Sequence, residues 1–394
     1  MYNFDKIIDR KNTECLKHDF PPYETNATQA HALWIADMDF QTAPEVITAM
    51  KNRIDHGIFG YFAFTPRYYN AVKSWHKKRF GVTDLEDNHI FYQHSVKAGI
   101  SHALEFLTKE NDTVAFLSPI YPGFTNVMEL MNRKTIAVLL KEEDGFFSID
   151  FDLFEKKIIE NNVKVFIFCN PHNPTGRIWT QDEMQKLVDI CFKHNVKIIA
   201  DEIWGDVVID ENLKHLPLCK AVPKAKEITI ALYSPTKGFN LAGLICSYSI
   251  CYNEEMNENF KKRSAFLSSN APCVLAHEAL ISSYLEGEQW LDECTSYISS
   301  NMDFILEFLG DKLPKIKCKK PQSTYVLWLD FSDLGISHEE MIEKAHTNAG
   351  FLANDGASFS EGGKLHLRMN CAAPKAKLEK AMLALEKEFA NIAK

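Results

Sequence analysis

The chain has 394 residues, a formal net charge of -9, 46% apolar residues and 25% charged residues. That length calls for two or three domains, and the acidic balance weighs against nucleic acid and anionic membrane as partners. No run approaches the roughly 18 apolar residues of a membrane span. The opening MYNFDKIIDRKNTE is charged and lacks an apolar signal core, so a cytoplasmic protein is expected. Ten cysteines without a CxxC pair read as reduced thiols, and 14 histidines without an HExxH pattern predict no metal centre.

In chain order, the first forty-odd residues read as an arm. They contain a turn-rich patch, PPYETNATQ, and then ALWIADMDF, where Asp37 and Asp39 bracket a methionine. Two acids inside an apolar run suggest a turn near a pocket, or equally a solvated loop. PEVITAMKNRI follows as a helix with proline in its first turn. HGIFGYFAFTP is a glycine- and aromatic-rich loop containing Tyr61, for which a place in an aromatic core is the plain reading. YYNAVKSWHKKRFG is a helix closed by glycine. NHIFYQH reads as a strand, and a helix opens at Ser95. The free N–H groups at such a start could hold a phosphate at Ser95, Val96 and Lys97, although most helix starts bind only water.

A design then repeats four times. TVAFL ends in SPIYPGF with Tyr121; VKVFIF ends in CNPHNPTG with Asn173. VKIIA ends in DEIWGD with Asp201; EITIALY ends in SPTKGFN with Lys237. Continuous apolar runs of this length are the mark of parallel strands buried on both faces. Helical segments separate them, one opening with a Thr-x-x-Glu capping box at Thr180 and Glu183. Strand and helix in alternation predict an α/β fold with a mostly parallel central sheet between helices. Ligands of such sheets bind beyond the carboxyl ends of the strands, so an aromatic ring, an amide, a carboxylate and a lysine should meet in one crevice. A lysine there is costly to desolvate, and burial frees its amine to condense with an aldehyde cofactor. The alternative is a lysine that snorkels to solvent at a strand end.

LICSYSICY reads as a further strand, and SAFLSSNAPCVLAHEALISSYLEG as loop then helix. WLDECTSYISSNMDFILEFLGDKL is a long amphipathic helix that could bridge two domains. KCKKPQSTYVLWLDFS is a strand, SHEEMIEKAHTNAG a helix with a second capping box at Ser337 and Glu340, and KLHLRMN a strand carrying Arg368. A last helix closes a smaller α+β layer.

NPHNPTG, DEIWGD and SPTKGFNLAG, in this order and spacing, resemble the fold-type I pyridoxal-phosphate enzymes of the aminotransferase superfamily. ADMDF at Ala36, GIFGY ending at Tyr61, PQSTY ending at Tyr325 and LRMNCAAP around Arg368 are similar to the MalY/PatB group of cystathionine β-lyases, which includes the cystalysin-like C–S lyases. The resemblance runs from the first residues to the last helix. It implies pyridoxal 5'-phosphate as cofactor and three parts: an arm (1–45) on the small domain, a large cofactor-binding domain (46–285) and a small C-terminal domain (286–394).

The resemblance also implies roles. Lys237 would hold the cofactor and then shuttle the proton. Asp201 would pair with the pyridine nitrogen, Asn173 would hydrogen-bond the phenolic oxygen and Tyr121 would stack on the ring. Ser234, Thr236, Val96 and Lys97 would bind the phosphate. Tyr61 would reach the phosphate of a neighbouring subunit, making the sites shared within a homodimer. Arg368 would clamp the carboxylate of a small amino-acid substrate, with Ala36, Asn173 and Tyr61 close to it.

Two departures stand out. Trp204 occupies the position where the lyases carry histidine and many aminotransferases tyrosine; an indole N–H can donate to the phenolic oxygen but cannot shuttle a proton. No arginine follows Lys237 closely; Leu244 and Ile245 occupy that region. The leading expectation is a C–S β-lyase acting by α,β-elimination on cystathionine, cysteine or another S-substituted cysteine. The alternative is an aminotransferase. A third reading, a regulatory protein that retains the cofactor, has the complete catalytic set and the absence of an added domain against it.

Overall fold

The computed structural model describes residues 2–271 and 273–393. A short strand, β1 (His31–Ala32), follows the arm. The central segments supply β2 (Ile90–Gln93), β3 (Thr113–Ser118), β4 (Lys134–Leu139), a small hairpin of β5 (Lys141–Glu143) and β6 (Phe146–Ser148), β7 (Val163–Cys169), β8 (Lys197–Asp201), β9 (Thr229–Tyr233) and β10 (Ser247–Ile250). The last third adds β11 (Val326–Asp330), β12 (Phe351–Leu352), β13 (Asn354–Asp355) and β14 (His366–Asn370).

Seven strands form one sheet in the order β2-β10-β9-β8-β7-β3-β4. From β9 to β4 every pairing is parallel, whereas β10 is antiparallel to both its neighbours, β9 and β2. The apolar runs predicted as strands bury both faces by strict alternation. Val165, Ile167, Ile199, Ile230 and Leu232 pack on one side with Ile100 and Leu104 of the helix Val96–Leu107. Phe166, Phe168, Ile198, Ala200 and Ala231 face the other side. Each large side chain so buried contributes roughly 1.5–3 kcal/mol over exposure.

Local signals set the helix ends. Thr180 and Glu183 form the reciprocal capping box: Thr180 N donates to Glu183 Oε2 at 2.8 Å, and Glu183 N to Thr180 Oγ1 at 3.2 Å. Pro44 opens Pro44–His56, and Gly81, at φ +67°, closes Pro66–Phe80. The second predicted capping box is half made: Glu340 N donates to Ser337 Oγ at 3.1 Å, and Ser337 caps only His338–Ile342 before the chain widens into a π turn over Glu343–Asn348. The strand expected over Lys317–Ser332 shortens to Val326–Asp330, because Pro321 cannot donate to a ladder and the residues around it bind other loops.

The arm joins the C-terminal layer through the parallel pair β1–β12. That layer is the three-stranded sheet β11-β14-β13, backed by Lys375–Phe389. The 25-residue helix Glu288–Lys312 runs beside it. Among the described residues, no helix is long and apolar enough to cross a membrane.

Candidate active site

Parallel strands deliver their carboxyl ends to one edge. There β2 leads into Ser95, Val96 and Lys97, β3 into Tyr121 and β7 into Asn173; β8 ends at Asp201, and β9 leads into Ser234, Thr236 and Lys237. The antiparallel β10 presents its start instead, with Cys246 and Ser247. These residues line one cavity of about 430 Å³, together with Ala36, Trp204 and Arg368. Of the residues picked out from sequence as site residues, only Tyr61 lies elsewhere in the chain: it is fully exposed, in a loop whose Ile58 and Phe59 are 65% and 60% exposed. The aromatic-core reading of Tyr61 is therefore wrong, because no described residue of its own chain covers it.

Lys237 does not snorkel to the outer surface. Its Nζ donates to the Ala36 carbonyl at 2.6 Å and lies 5.2 Å from the centre of the Trp204 ring. Burial, aided by the Arg368 charge, pulls its pKa down to about 8. At pH 7.5 roughly a quarter of such amines are unprotonated, against about one in a thousand at the ordinary value. The loop carrying Lys237 is fastened by Asn240. Its Nδ2 donates to the Met38 and Phe40 carbonyls at 3.0 and 2.9 Å, and its Oδ1 accepts from Met38 N at 2.9 Å.

Asp201 is 4% exposed, and burial pushes its carboxyl up to about 7. Its Oδ1 accepts from Ile203 N at 3.1 Å. An N–H cation beside it would draw the proton off, since an opposite charge in contact lowers a carboxyl by about 1–3 pKa units.

Arg368 is buried, and burial lowers its pKa to about 10. Nη1 donates to Asn173 Oδ1 at 3.1 Å; Nη2 donates to the Trp34 carbonyl at 3.1 Å and also to Asn354 Oδ1. Nε is buried without a partner. A guanidinium held only by neutral oxygens, with one N–H unpaired, is short of an anion.

Two glycines make the walls possible. A methyl at Gly123 would stand 2.2 Å from a Tyr121 ring carbon, so glycine lets that ring fold back over its own turn. Gly176, at φ +68°, brings the Asn173 loop against Pro321, where a Cβ would lie 2.2 Å from the proline Cβ. Ser323 N then donates to the Gly176 carbonyl at 2.9 Å and Ser323 Oγ to Val207 O at 2.5 Å, which fixes the segment carrying Tyr325. Tyr325 donates to the Ala36 carbonyl at 2.7 Å and meets Trp204 edge to face at 4.6 Å. At the opposite end, Ala98 N donates to Ser95 Oγ at 3.1 Å, capping the helix that presents Val96 and the exposed Lys97. Ser234 Oγ donates to the Cys246 carbonyl and accepts from Thr236 Oγ1 at 2.8 Å. A helix start and two hydroxyls on one rim suit an anionic group.

The acids of ADMDF serve the site at one remove. Asp39 is 3% exposed and receives Arg10 at 2.8 Å, Lys377 at 2.9 Å and Lys17 at 3.1 Å. Asp37 pairs with Arg10 at 2.6 Å. The run that presents the Ala36 carbonyl is thus clamped by charges from the arm and the last helix, and the solvated-loop reading of Asp39 falls. Sequence reasoning missed Trp34 and Asn354 as partners of Arg368. Trp34 sat in a quoted motif without a role, and Asn354 carried no local signal.

The aminotransferase class I and II family model matches residues 32–385. Cystathionine beta-lyase PatB of Bacillus subtilis (strain 168) is 35% identical over 381 residues, 96% of this chain and 97% of the relative. Protein MalY of Escherichia coli (strain K12) is 30% identical over 394 residues, 98% of each. The crystal structure of cystalysin from Treponema denticola, which contains a pyridoxal 5'-phosphate cofactor, matches with a TM-score of 0.94 at 32% identity, covering 99% of both chains.

Proposed function

Because the chain belongs to the aminotransferase class I and II family, we propose that it is a pyridoxal 5'-phosphate-dependent C–S β-lyase of cystathionine, cysteine or similar S-substituted cysteines. The observation that carries this reading is Arg368, buried without a carboxylate partner in the cavity that also holds Lys237. One group suits the carboxylate of an amino acid and the other an aldehyde. Likeness to PatB and cystalysin supports C–S cleavage over amino-group transfer.

The residues present fit the cofactor. Lys237 would hold it, Asp201 would keep a proton on the pyridine nitrogen, and Asn173 with Trp204 would flank the phenolic oxygen. Tyr121 would cover a ring face, and Ser234, Thr236, Val96 and Lys97 would hold the phosphate. When bound, the cofactor withdraws electrons from the substrate Cα. Arg368 would fix the α-carboxylate so that the Cα–H bond stands across the ring plane. Lys237, released by the incoming amine, would take the Cα proton, and the Ala36 carbonyl and Tyr325 hydroxyl would aim it. The pair freed from the Cα–H bond would become a Cα–Cβ double bond as the Cβ–S bond breaks and the thiolate departs. Hydrolysis of the three-carbon product yields pyruvate and ammonia.

The exposed Ile58, Phe59 and Tyr61 support a homodimer in which Tyr61 enters the partner's site. Ten cysteines without a disulfide support a reducing cytoplasm. The deciding assay incubates purified protein with L-cystathionine and L-cysteine and follows pyruvate with and without 2-oxoglutarate. Pyruvate released without the oxo acid is expected; turnover only in its presence would make the protein an aminotransferase.

A further inference from the structure

A second cavity, of about 590 Å³, lies between the β5–β6 hairpin and the three-stranded sheet. Glu142 on β5, Asp330 at the end of β11 and His366 at the start of β14 all line it. One possible ligand atom from each lies within 4.8 Å of the other two. Asp330 and His366 are direct cross-strand partners, so they share a face of the sheet.

The histidine is set up as a lone-pair donor. His366 is 6% exposed. Its Nδ1 lies 2.9 Å from the Lys364 carbonyl, which can only accept, so the ring proton sits on Nδ1 and Nε2 carries the free pair. Nε2 is buried and, among the described residues, hydrogen-bonds to nothing; Asp330 Oδ1, at 3.7 Å, is too far. The Trp328 indole stacks on the imidazole at 5.0 Å and 15°, which holds the ring in place. Ser332 donates to Asp330 Oδ1 through N at 2.8 Å and Oγ at 2.5 Å, orienting that carboxylate.

Among the described residues, the nearby cations do not fill the gap. Lys317 pairs with Asp333, Lys141 pairs with Asp150 at 2.8 Å, and Lys319 sits over the Phe146 ring at 5.3 Å. Cys318 also lines the cavity, but its thiol is not among the groups whose possible ligand atoms lie within 4.8 Å of one another.

We propose that Glu142, Asp330 and His366 bind a divalent first-row cation of the Mn²⁺ or Zn²⁺ kind, tying the hairpin to the C-terminal sheet. Two carboxylates and one neutral imidazole are a donor set that both ions accept, with positions left for water. The rival occupant is a proton on Nε2, which would turn the triad into a plain ion cluster. The site stands behind the substrate-pocket wall. His366 and Arg368 are two residues apart on β14 and so point to the same face. A run of ring contacts also links them: Arg368 lies over Phe359 at 4.9 Å, Phe359 meets Trp328 edge to face at 5.3 Å, and Trp328 stacks on His366 at 5.0 Å.

The test uses purified full-length protein stripped with a chelator and desalted. MnCl₂ is titrated in, free Mn²⁺ is read by electron paramagnetic resonance, and Zn²⁺ is added as competitor. One Mn²⁺ per chain is expected, displaced by Zn²⁺, with Glu142→Gln and Asp330→Asn each binding about ten-fold more weakly or worse. Both variants should melt like wild type in EDTA, and at any one metal concentration wild type should gain more melting temperature than either. No binding of either ion at about 1 mM overturns the proposal and leaves the proton as the cation. Equal binding by wild type and Glu142→Gln also overturns it, by putting the metal elsewhere.

Discussion

Lys237 and Tyr325 aim their polar ends at a single oxygen, the carbonyl of Ala36, from 2.6 and 2.7 Å. One carbonyl thus orients both the amine and the hydroxyl that shares it. Tyr325→Phe removes one neutral hydrogen bond, which is worth about 0.5–1.5 kcal/mol. The expected result is a fall of about two- to ten-fold in kcat/KM, with the acid limb of the pH profile displaced and colour retained. An unchanged rate and profile in Tyr325→Phe would detach the hydroxyl from the chemistry.

Lys237→Ala should yield a colourless protein after incubation with pyridoxal 5'-phosphate. Elimination should slow by about 10²–10⁴-fold, the usual worth of a positioned acid–base group. The check is the visible spectrum beside the pyruvate assay. A yellow variant with near wild-type turnover would remove Lys237 from both roles.

Asp201 predicts a pH effect on the cofactor-free protein. Its carboxyl rises from 3.8 to about 7 on folding, so the native state holds the proton more tightly than the unfolded one. Stability therefore falls as pH climbs from about 4 to 7 and is flat above. Asp201→Asn should abolish that decline, gaining on wild type across this window by a few kcal/mol at most. Urea unfolding at several pH values checks it; parallel wild-type and variant curves would count against the buried-carboxyl account. In the same variant, cofactor retention should collapse.

Asp39 has the opposite sign. Against burial, the Lys17 charge, the His18 hydrogen bond and Lys377 hold its carboxyl well below the ordinary 3.8. Its contribution is complete above that value and is lost as pH falls below it. Asp39→Ala would leave Lys17, which is 1% exposed, with only Asp37 at 3.3 Å, so a loss at the lower end of about 3–5 kcal/mol is expected at pH 7. The deficit should shrink in acid. A urea midpoint equal to wild type at pH 7 would show that the charges find other partners.

Tyr61→Phe should release the cofactor faster while leaving the protomer fold intact. Dialysis followed by absorbance measures the release, and light scattering the mass. A dimer whose cofactor leaves at the wild-type rate would take the Tyr61 hydroxyl out of the site.

The strand ends were legible because each buried strand advertises itself as an apolar run that halts at polar residues. Asp201 closes its strand, and Tyr121, Asn173 and Lys237 lie a few residues beyond the ends of theirs. The second capping box was over-read, since Glu340 donates its backbone N–H to Ser337 without a return bond from its side chain. Asn354 and Trp34 were invisible as Arg368 partners because only folding brings positions 34, 354 and 368 together. The same holds for Glu142, Asp330 and His366, whose spacing matches no metal motif. Asp39 could not be placed because its four partners come from Arg10, Lys17, His18 and Lys377, at both ends of the chain.

The pocket gathers residues from Leu16 to Arg368. During translation, a ribosome must therefore release β14 before vitamin B6 meets a finished receptacle. Loading is then a late event in biogenesis, and truncated or stalled chains should emerge pale however well their central sheet has formed.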